Sequence, residues 1–360
     1  MSALQPKYAP LLYKPDLADA AKRWEAYYAG EMIDRPIVCV TAPRDGALPA
    51  PEIEYRDRAF GDMDEVIDRA LLGADRTYYG GESIPSFMLS FGPDEIAVFC
   101  GAQLEWSPDS GNTNWSKPCI ENWDDAFPIS LQHDHPLWQR MLAFYRRASD
   151  RMAGKMLITP PDLHTNMDIL SAMRSPQRLC FDLLERPDVI DRAMIDARAI
   201  FPVLWEAISA AGRMHELGYV NTIYSMEGTA FLQCDFAALI GPAMFKRWVL
   251  PALEEEAEIV KHVVYHWDGP SALVHTDLLI QSKGLHTLSF VPGDGNGTHI
   301  DFLHVLKKVQ AGGKAVQVWG TPEEMKALHR ELKPEKTMYC TTTATQAEAD
   351  ELLEWFVANT

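Results

Sequence analysis

Short apolar, often β-branched runs alternate along this chain with longer stretches in which apolar residues recur every three or four positions. The short runs at 36–41, 155–159, 220–224, 262–266, 286–290, 314–318 and 337–341 predict β-strands. The periodic stretches at 175–184, 189–211, 242–261 and 321–332 predict helices between them. Two of these helices carry start signals. Ser175 stands before Pro176, and Thr321 before Pro322 with Glu324 following, so a capping side chain precedes a proline at the first helical position. An eighth strand is expected within 87–99. Strands that alternate with helices build a parallel sheet, because parallel neighbours need a crossover long enough for a helix. Eight of them predict an α/β fold of the (β/α)8 TIM-type barrel, with residues 1–360 as one domain.

Residues 47–135 break the alternation; they are rich in Trp, Pro, Gly, Asn and Asp and weakly periodic. An irregular insertion capping the catalytic face is expected here, with Trp106, Trp115, Trp123 and the nearby Trp138 as a substrate cover. The plainer reading makes the same tryptophans an irregular packing layer. Pattern alone does not separate the two.

Composition narrows the partners. Hydrophobic residues at 47% and charged residues at 23% suit a soluble enzyme. Acidic residues outnumber basic ones 51 to 33, for a net charge of −18 with no dense Lys/Arg cluster. That balance argues against nucleic acid or an anionic membrane surface as a partner. No apolar run approaches the length of a membrane span, and residues 1–15 lack the basic-then-apolar order of a signal peptide. The six cysteines have no CxxC spacing, so reduced thiols and a cytoplasmic location are expected. Oligomeric state stays open, a homo-oligomer included.

The chemistry is concentrated where strands end, which is where barrel enzymes place their catalytic groups. Asp162 and His164 follow 155–159, and Ser225 and Glu227 follow 220–224. His266 and Asp268 close the next run, and strand alternation puts both on one side of the chain. Asp294 lies in Pro-Gly-Asp-Gly-Asn-Gly, which is also ordinary turn chemistry and lacks the glycine spacing of a phosphate loop. Trp319 follows 314–318, Cys340 closes the last run, and Arg44 follows the first. Glu227, Asp162 and His164 are candidates for moving protons or orienting a substrate. Arg44, Ser225, Asp294 and Trp319 are candidates for holding it. His266, Asp268 and Cys340 are metal ligands by type.

Three segments carry a family resemblance. Ile240-Gly241-Pro242-Ala243-Met244-Phe245-Lys246-Arg247-Trp248-Val249-Leu250-Pro251 is similar to a stretch of the uroporphyrinogen decarboxylase superfamily. Gly320-Thr321-Pro322-Glu323-Glu324 resembles its Gly-Thr-Pro-Glu helix start, and Asp34-Arg35-Pro36-Ile37-Val38 its early Arg-Pro strand. The resemblance is diffuse over 150–360, weak before that, and nearest to the corrinoid-linked methyltransferase branch. That branch implies zinc on a His-x-Cys pair and a later cysteine. His266 matches the first ligand and Cys340 the last, while Asp268 stands where the family has cysteine. A carboxylate is acceptable to zinc. The resemblance therefore implies a methyltransferase or demethylase with zinc on His266, Asp268 and Cys340. It would move a methyl group between a corrinoid protein or a small methylated substrate and an acceptor. The alternative is a metal-independent decarboxylase or lyase acting on a small carboxylated substrate. His266 would then be the general acid, with Asp268 as its partner and Arg44 on the carboxylate; Arg35 is a second such arginine. Cys340 separates the readings, because only the zinc site needs a thiolate there.

Overall fold

Six parallel strands and one antiparallel neighbour form the main sheet, in a computed structural model that describes residues 8–106 and 113–360. The strands that position the site are β1 (Ile37–Pro43), β2 (Thr77–Gly81), β3 (Ser86–Met88), β4 (Leu157–Thr159) and β5 (Thr229–Gln233). They are followed by β6 (His262–Asp268), β7 (Leu285–Val291), β8 (Ala315–Trp319) and β9 (Thr337–Thr342). The sheet order is β2-β1-β9-β8-β7-β6-β5, and β2 alone runs antiparallel. A separate parallel pair joins β3 to β4. Among the described residues no hydrogen-bonded ladder links β1 to β3 or β4 to β5, the two junctions a closed barrel would need. The architecture is thus a mixed α/β fold with a large, mostly parallel sheet flanked by helices.

One expected strand is a different object. The run at 220–224 folds into a tight antiparallel hairpin, Tyr219–Asn221 on Ile223–Ser225, with Thr222 at φ 60° in the turn. Its apolar residues Val220, Ile223 and Tyr224 are buried by packing in the interior, not by pairing in the main sheet. The true sheet strand is β5, whose Thr-Ala-Phe-Leu-Gln sequence alternates too weakly to stand out. The window 87–99 likewise holds only the end of β3, and most of it is loop and the helix Glu95–Phe99.

Both faces of the sheet are dry. One packs against the surrounding helices through Val38, Val40, Leu232, Tyr265 and Val316. The other encloses Ile37, Cys39, Val264, Ala315, Met338 and Cys340. The helix Leu17–Tyr28 seals this inner face, burying Leu17, Ala20, Ala21, Trp24 and Tyr27, the i, i+3, i+4, i+7 stripe of an amphipathic helix. The Tyr27 hydroxyl meets Thr287 Oγ1 at 2.8 Å on β7.

The capping signals hold at both helix starts. Ser175 Oγ accepts the Arg178 N–H, and Thr321 and Glu324 exchange hydrogen bonds as a capping box. Thr321→Ala should lower unfolding free energy by about 1 kcal/mol in urea titration. An unchanged midpoint would show that Glu324 secures the turn alone. The segment Pro242–Val260 passes through a π-helical turn at Phe245–Val249, just before Pro251, which has no N–H to give.

Trp123 and Trp138 are buried in the main core, as a packing layer requires, and Trp115 is partly exposed. Residues 107–112 of the expected insertion, and 1–7 of the N-terminal stretch, lie outside the described residues.

Candidate active site at the carboxyl ends of the strands

Past the end of β4 the chain turns through Asp162, Leu163 and His164 into the helix Asn166–Arg174. Past β5 it turns through Cys234 and Asp235. These two turns meet around one imidazole. His164 Nε2 lies 3.4 Å from Asp162, and His164 Nδ1 lies 3.4 Å from Asp168 and 3.9 Å from Asp235. Burial alone would depress this histidine. The carboxylates of Asp162 and Asp168 outweigh it and hold the pKa well above the ordinary value, so His164 is an imidazolium at neutral pH.

Each carboxylate has its own support. Burial would raise Asp162, but His164, the Gln233 amide and His266 together hold it below the usual range. Gln233 Nε2 donates to Asp162 Oδ1 at 2.5 Å. Asp168 accepts the backbone N–H groups of Asp235 and Phe236 at 3.0 and 2.9 Å, which locks the turn after β5 onto the helix carrying Asp168. Partial burial at the cleft wall, together with the charge of Asp168, pushes Asp235 up to about 6. Behind them Glu256 accepts from Thr165 Oγ1 at 2.7 Å, and burial raises it to about 8. Neutral Glu256 is a buttress.

His164, Asp168 and Asp235 open on a cleft of about 540 Å³, walled on the far side by Asp94, Trp115 and Ser116. Those three residues come from 47–135, so this segment reaches the carboxyl end of the sheet. Tyr55, on the helix Tyr55–Phe60, lies close enough to Asp162 and His164 to feel their charge, and Arg58 on the same helix lies beside Tyr55 and Glu95. Burial raises the Tyr55 phenol first, and the charge of Asp162 adds to it. Arg58 Nε is buried and has no hydrogen-bond partner among the described residues. Glu95, beside it, accepts from Ser90 Oγ and the Phe91 N–H, and burial lifts it to about 8. A guanidinium with an unused donor is the natural grip for an anionic group.

The sequence-predicted residues divide into three groups. Asp162 and His164 stand in the cluster, and His266 is a near neighbour of Asp162 and Asp235. Gln233, His266 and Ser289 share one register row across β5, β6 and β7. Asp268, two residues on, keeps the same face and is exposed at the strand end. Ser225 and Glu227 are elsewhere. With 220–224 forming a hairpin before β5, they precede a strand instead of following one, and Glu227 lies 3.7 Å from His262, the first residue of β6. That is the amino end of the sheet. Arg44 donates to Thr77 O on β2, the edge strand. Asp294 lies in an exposed turn with Gly293, Gly295 and Gly297 at positive φ. Trp319, 45% exposed, ends β8 in register with Cys340. Arg35 is 7% exposed and bound to Glu82, so it faces no substrate.

Cys340 is 1% exposed, beside Cys39 in the inner core, and receives the Gln317 Nε2 hydrogen at 3.5 Å. In the sheet order two strands, β7 and β8, lie between it and His266. Among the described residues no group of three or more His, Cys, Asp or Glu side chains is placed to hold a metal ion. His266, Asp268 and Cys340 do not form such a group.

Asp235, Tyr55, Arg58, Glu95 and Gln233 were missed. Asp235 was hidden by the misplaced strand, since the two residues past β5 would otherwise have been read as rim positions. The others have no local signal, because their neighbours are distant in sequence.

No protein-family model and no curated protein matches the chain. The solved structures give a fold. The chain is similar in fold to a methyltransferase from Methanosarcina mazei. The superposition has a TM-score of 0.62 at 12% identity and covers 94% of this chain and 98% of that one. Among the described residues no helix is long and apolar enough to cross a membrane.

Proposed function

We propose that this protein is an enzyme that transfers a methyl group from a small methylated substrate bound in the cleft beside His164 and Asp235. The observation that carries the reading is the His164-centred cluster, which faces a substrate-sized cavity with one carboxyl, Asp235, pushed up to about 6 by burial and the charge of Asp168. The fold likeness along both chains favours methyl transfer among the reactions such an acid can serve.

Methyl transfer breaks the bond between the methyl carbon and its leaving atom, and the bonding pair stays with that atom. Protonated Asp235 gives its proton there, which makes the leaving group neutral and the step easier. The lone pair of an incoming nucleophile forms the new bond to carbon. The Asp235 carboxylate left behind is stabilised by the His164 imidazolium at 3.9 Å, and water returns the proton. Asp162 and Asp168 keep that cation in place. The acceptor we propose is a corrinoid carried by a second protein, which supplies the electron pair that takes the methyl. The eight parallel strands would then complete a barrel around the inner core.

A second reading draws on Arg58. Its Nε, without a hydrogen-bond partner among the described residues, suits a carboxylate, and decarboxylation of a small acid needs such a grip.

The test incubates the full chain with methanol, methylamine, methanethiol or 2-methoxyphenol and reduced free cobalamin, and follows methylcobalamin formation. Turnover with at least one donor is expected, falling by about 10²–10⁴ in His164→Ala. Carbon dioxide release from carboxylated substrates without any methyl transfer would overturn the reading in favour of the second. Elemental analysis runs alongside: one zinc per chain, lost in both His266→Ala and Cys340→Ala, would restore the metal site.

A further inference from the structure

The residues displaced from the catalytic rim, Ser225 and Glu227, line a second cavity of about 430 Å³ at the opposite end of the sheet. His262 and Asp268 are the two ends of the seven-residue β6, so roughly 20 Å separates this cavity from the carboxyl end where the His164 cluster sits. Its walls are aromatic. The Tyr28 ring stacks on His262 at 3.7 Å and 15°, and Tyr8 meets Tyr224 edge-on at 6.3 Å. The Tyr28 hydroxyl donates to Tyr224 O at 2.9 Å, which fixes the ring against the hairpin.

Two carboxylates complete the pocket. Glu25 accepts from the Tyr8 hydroxyl, and Glu227, 78% exposed, stands 3.7 Å from His262. The ten lining residues include no lysine or arginine. Burial lowers the His262 pKa, so the imidazole is neutral at pH 7 and does not oppose a positive ligand. Aromatic faces joined with carboxylates, in a pocket without a competing cation, are the chemistry that holds an ammonium or a quaternary ammonium group.

We propose that this cavity is a binding site for a small organic cation, separate from the cleft at the carboxyl ends. Tyr8, Tyr28 and Tyr224 supply aromatic walls around the cationic head, and Glu227 and Glu25 supply the charge. The hairpin at 219–225 is then more than a connection, because it holds Tyr224 and Glu227 against the helix Leu17–Tyr28.

Calorimetric titration of the full chain with choline chloride, and with its neutral isostere 3,3-dimethylbutan-1-ol, tests this directly. Choline should bind saturably, and the neutral isostere about tenfold more weakly. Tyr28→Leu should weaken choline by about tenfold. Because that change removes packing, Glu227→Gln at an exposed position serves as the second variant, with about threefold to tenfold weakening expected. Absence of saturable choline binding, equal affinity for the neutral isostere, or unchanged affinity in Glu227→Gln would each overturn the proposal. Binding is read without turnover, so its failure leaves the methyl-transfer reading standing.

Discussion

Replacing Asp235 with asparagine should lower kcat/KM for methyl transfer by about 10²–10⁴, the range that general acid catalysis contributes. The wild-type profile carries the sign of the effect. Asp235 acts in its protonated form, and burial with Asp168 nearby pushes its pKa up to about 6. The rate should therefore be level below pH 6 and fall about tenfold per pH unit above it. Asp235→Asn should lose that limb entirely. Stability supplies an independent check. A carboxyl raised from about 3.9 unfolded to about 6 folded binds its proton more tightly in the native state. Its contribution is present below the lower value and lost as pH rises through the upper one. Asp235→Asn should thus be at least as stable as wild type at pH 7, while thermal unfolding varies less between pH 4 and 6. A variant that is inactive because it is unfolded would fail this check. An active Asp235→Asn would remove the general acid from the mechanism.

Arg35→Ala should lower unfolding free energy by about 3–5 kcal/mol, the range for stripping one partner from a buried ion pair. Arg35 Nη1 and Nη2 grip the two oxygens of Glu82 at 2.5 and 2.9 Å, and Glu82 is 0% exposed. Glu82 also accepts the Val38 N–H at 2.9 Å, so the pair ties the turn after β2 to the first sheet strand. Arg23, 3.8 Å away, is too distant to replace the bidentate grip. Without Arg35 a buried carboxylate keeps one backbone donor and loses its hydrogen-bonded counter-charge, with only Arg23 left at 3.8 Å. The double variant Arg35→Met with Glu82→Leu removes both charges and should recover most of the loss in guanidinium unfolding. If Arg35→Ala unfolds at the wild-type midpoint, the pair is not structural, and Arg35 returns as a candidate substrate arginine.

The two variants also mark where the chain was legible. The Arg-Pro pair before β1 was visible as sequence, but its partner Glu82 lies 47 residues on, so the pairing was not. Asp162 and His164 were found because a well-marked apolar run precedes them. Asp235 was lost because Val220, Ile223 and Tyr224 are as apolar as a strand, while β5 is Thr-Ala-Phe-Leu-Gln. That single displacement put Ser225 and Glu227 on the wrong end of the sheet. Composition could not have corrected it, since a three-residue hairpin arm and a sheet strand bury the same side chains.

Local physics decided the strands β1, β4 and β6 to β9, the helix starts at Ser175 and Thr321, and the shared face of His266 and Asp268. Each depends on neighbours within one turn or one pleat, so periodicity and capping chemistry report it. Only the tertiary structure decided that Asp168 pins the turn of Asp235, and that Tyr55 reaches the rim. It also placed Cys340 in the inner core and gathered Glu227, Tyr28 and His262 at the far end. Those are contacts between residues tens to hundreds of positions apart. Their energies come from burial and charge in three dimensions, which leave no trace in the spacing of a sequence.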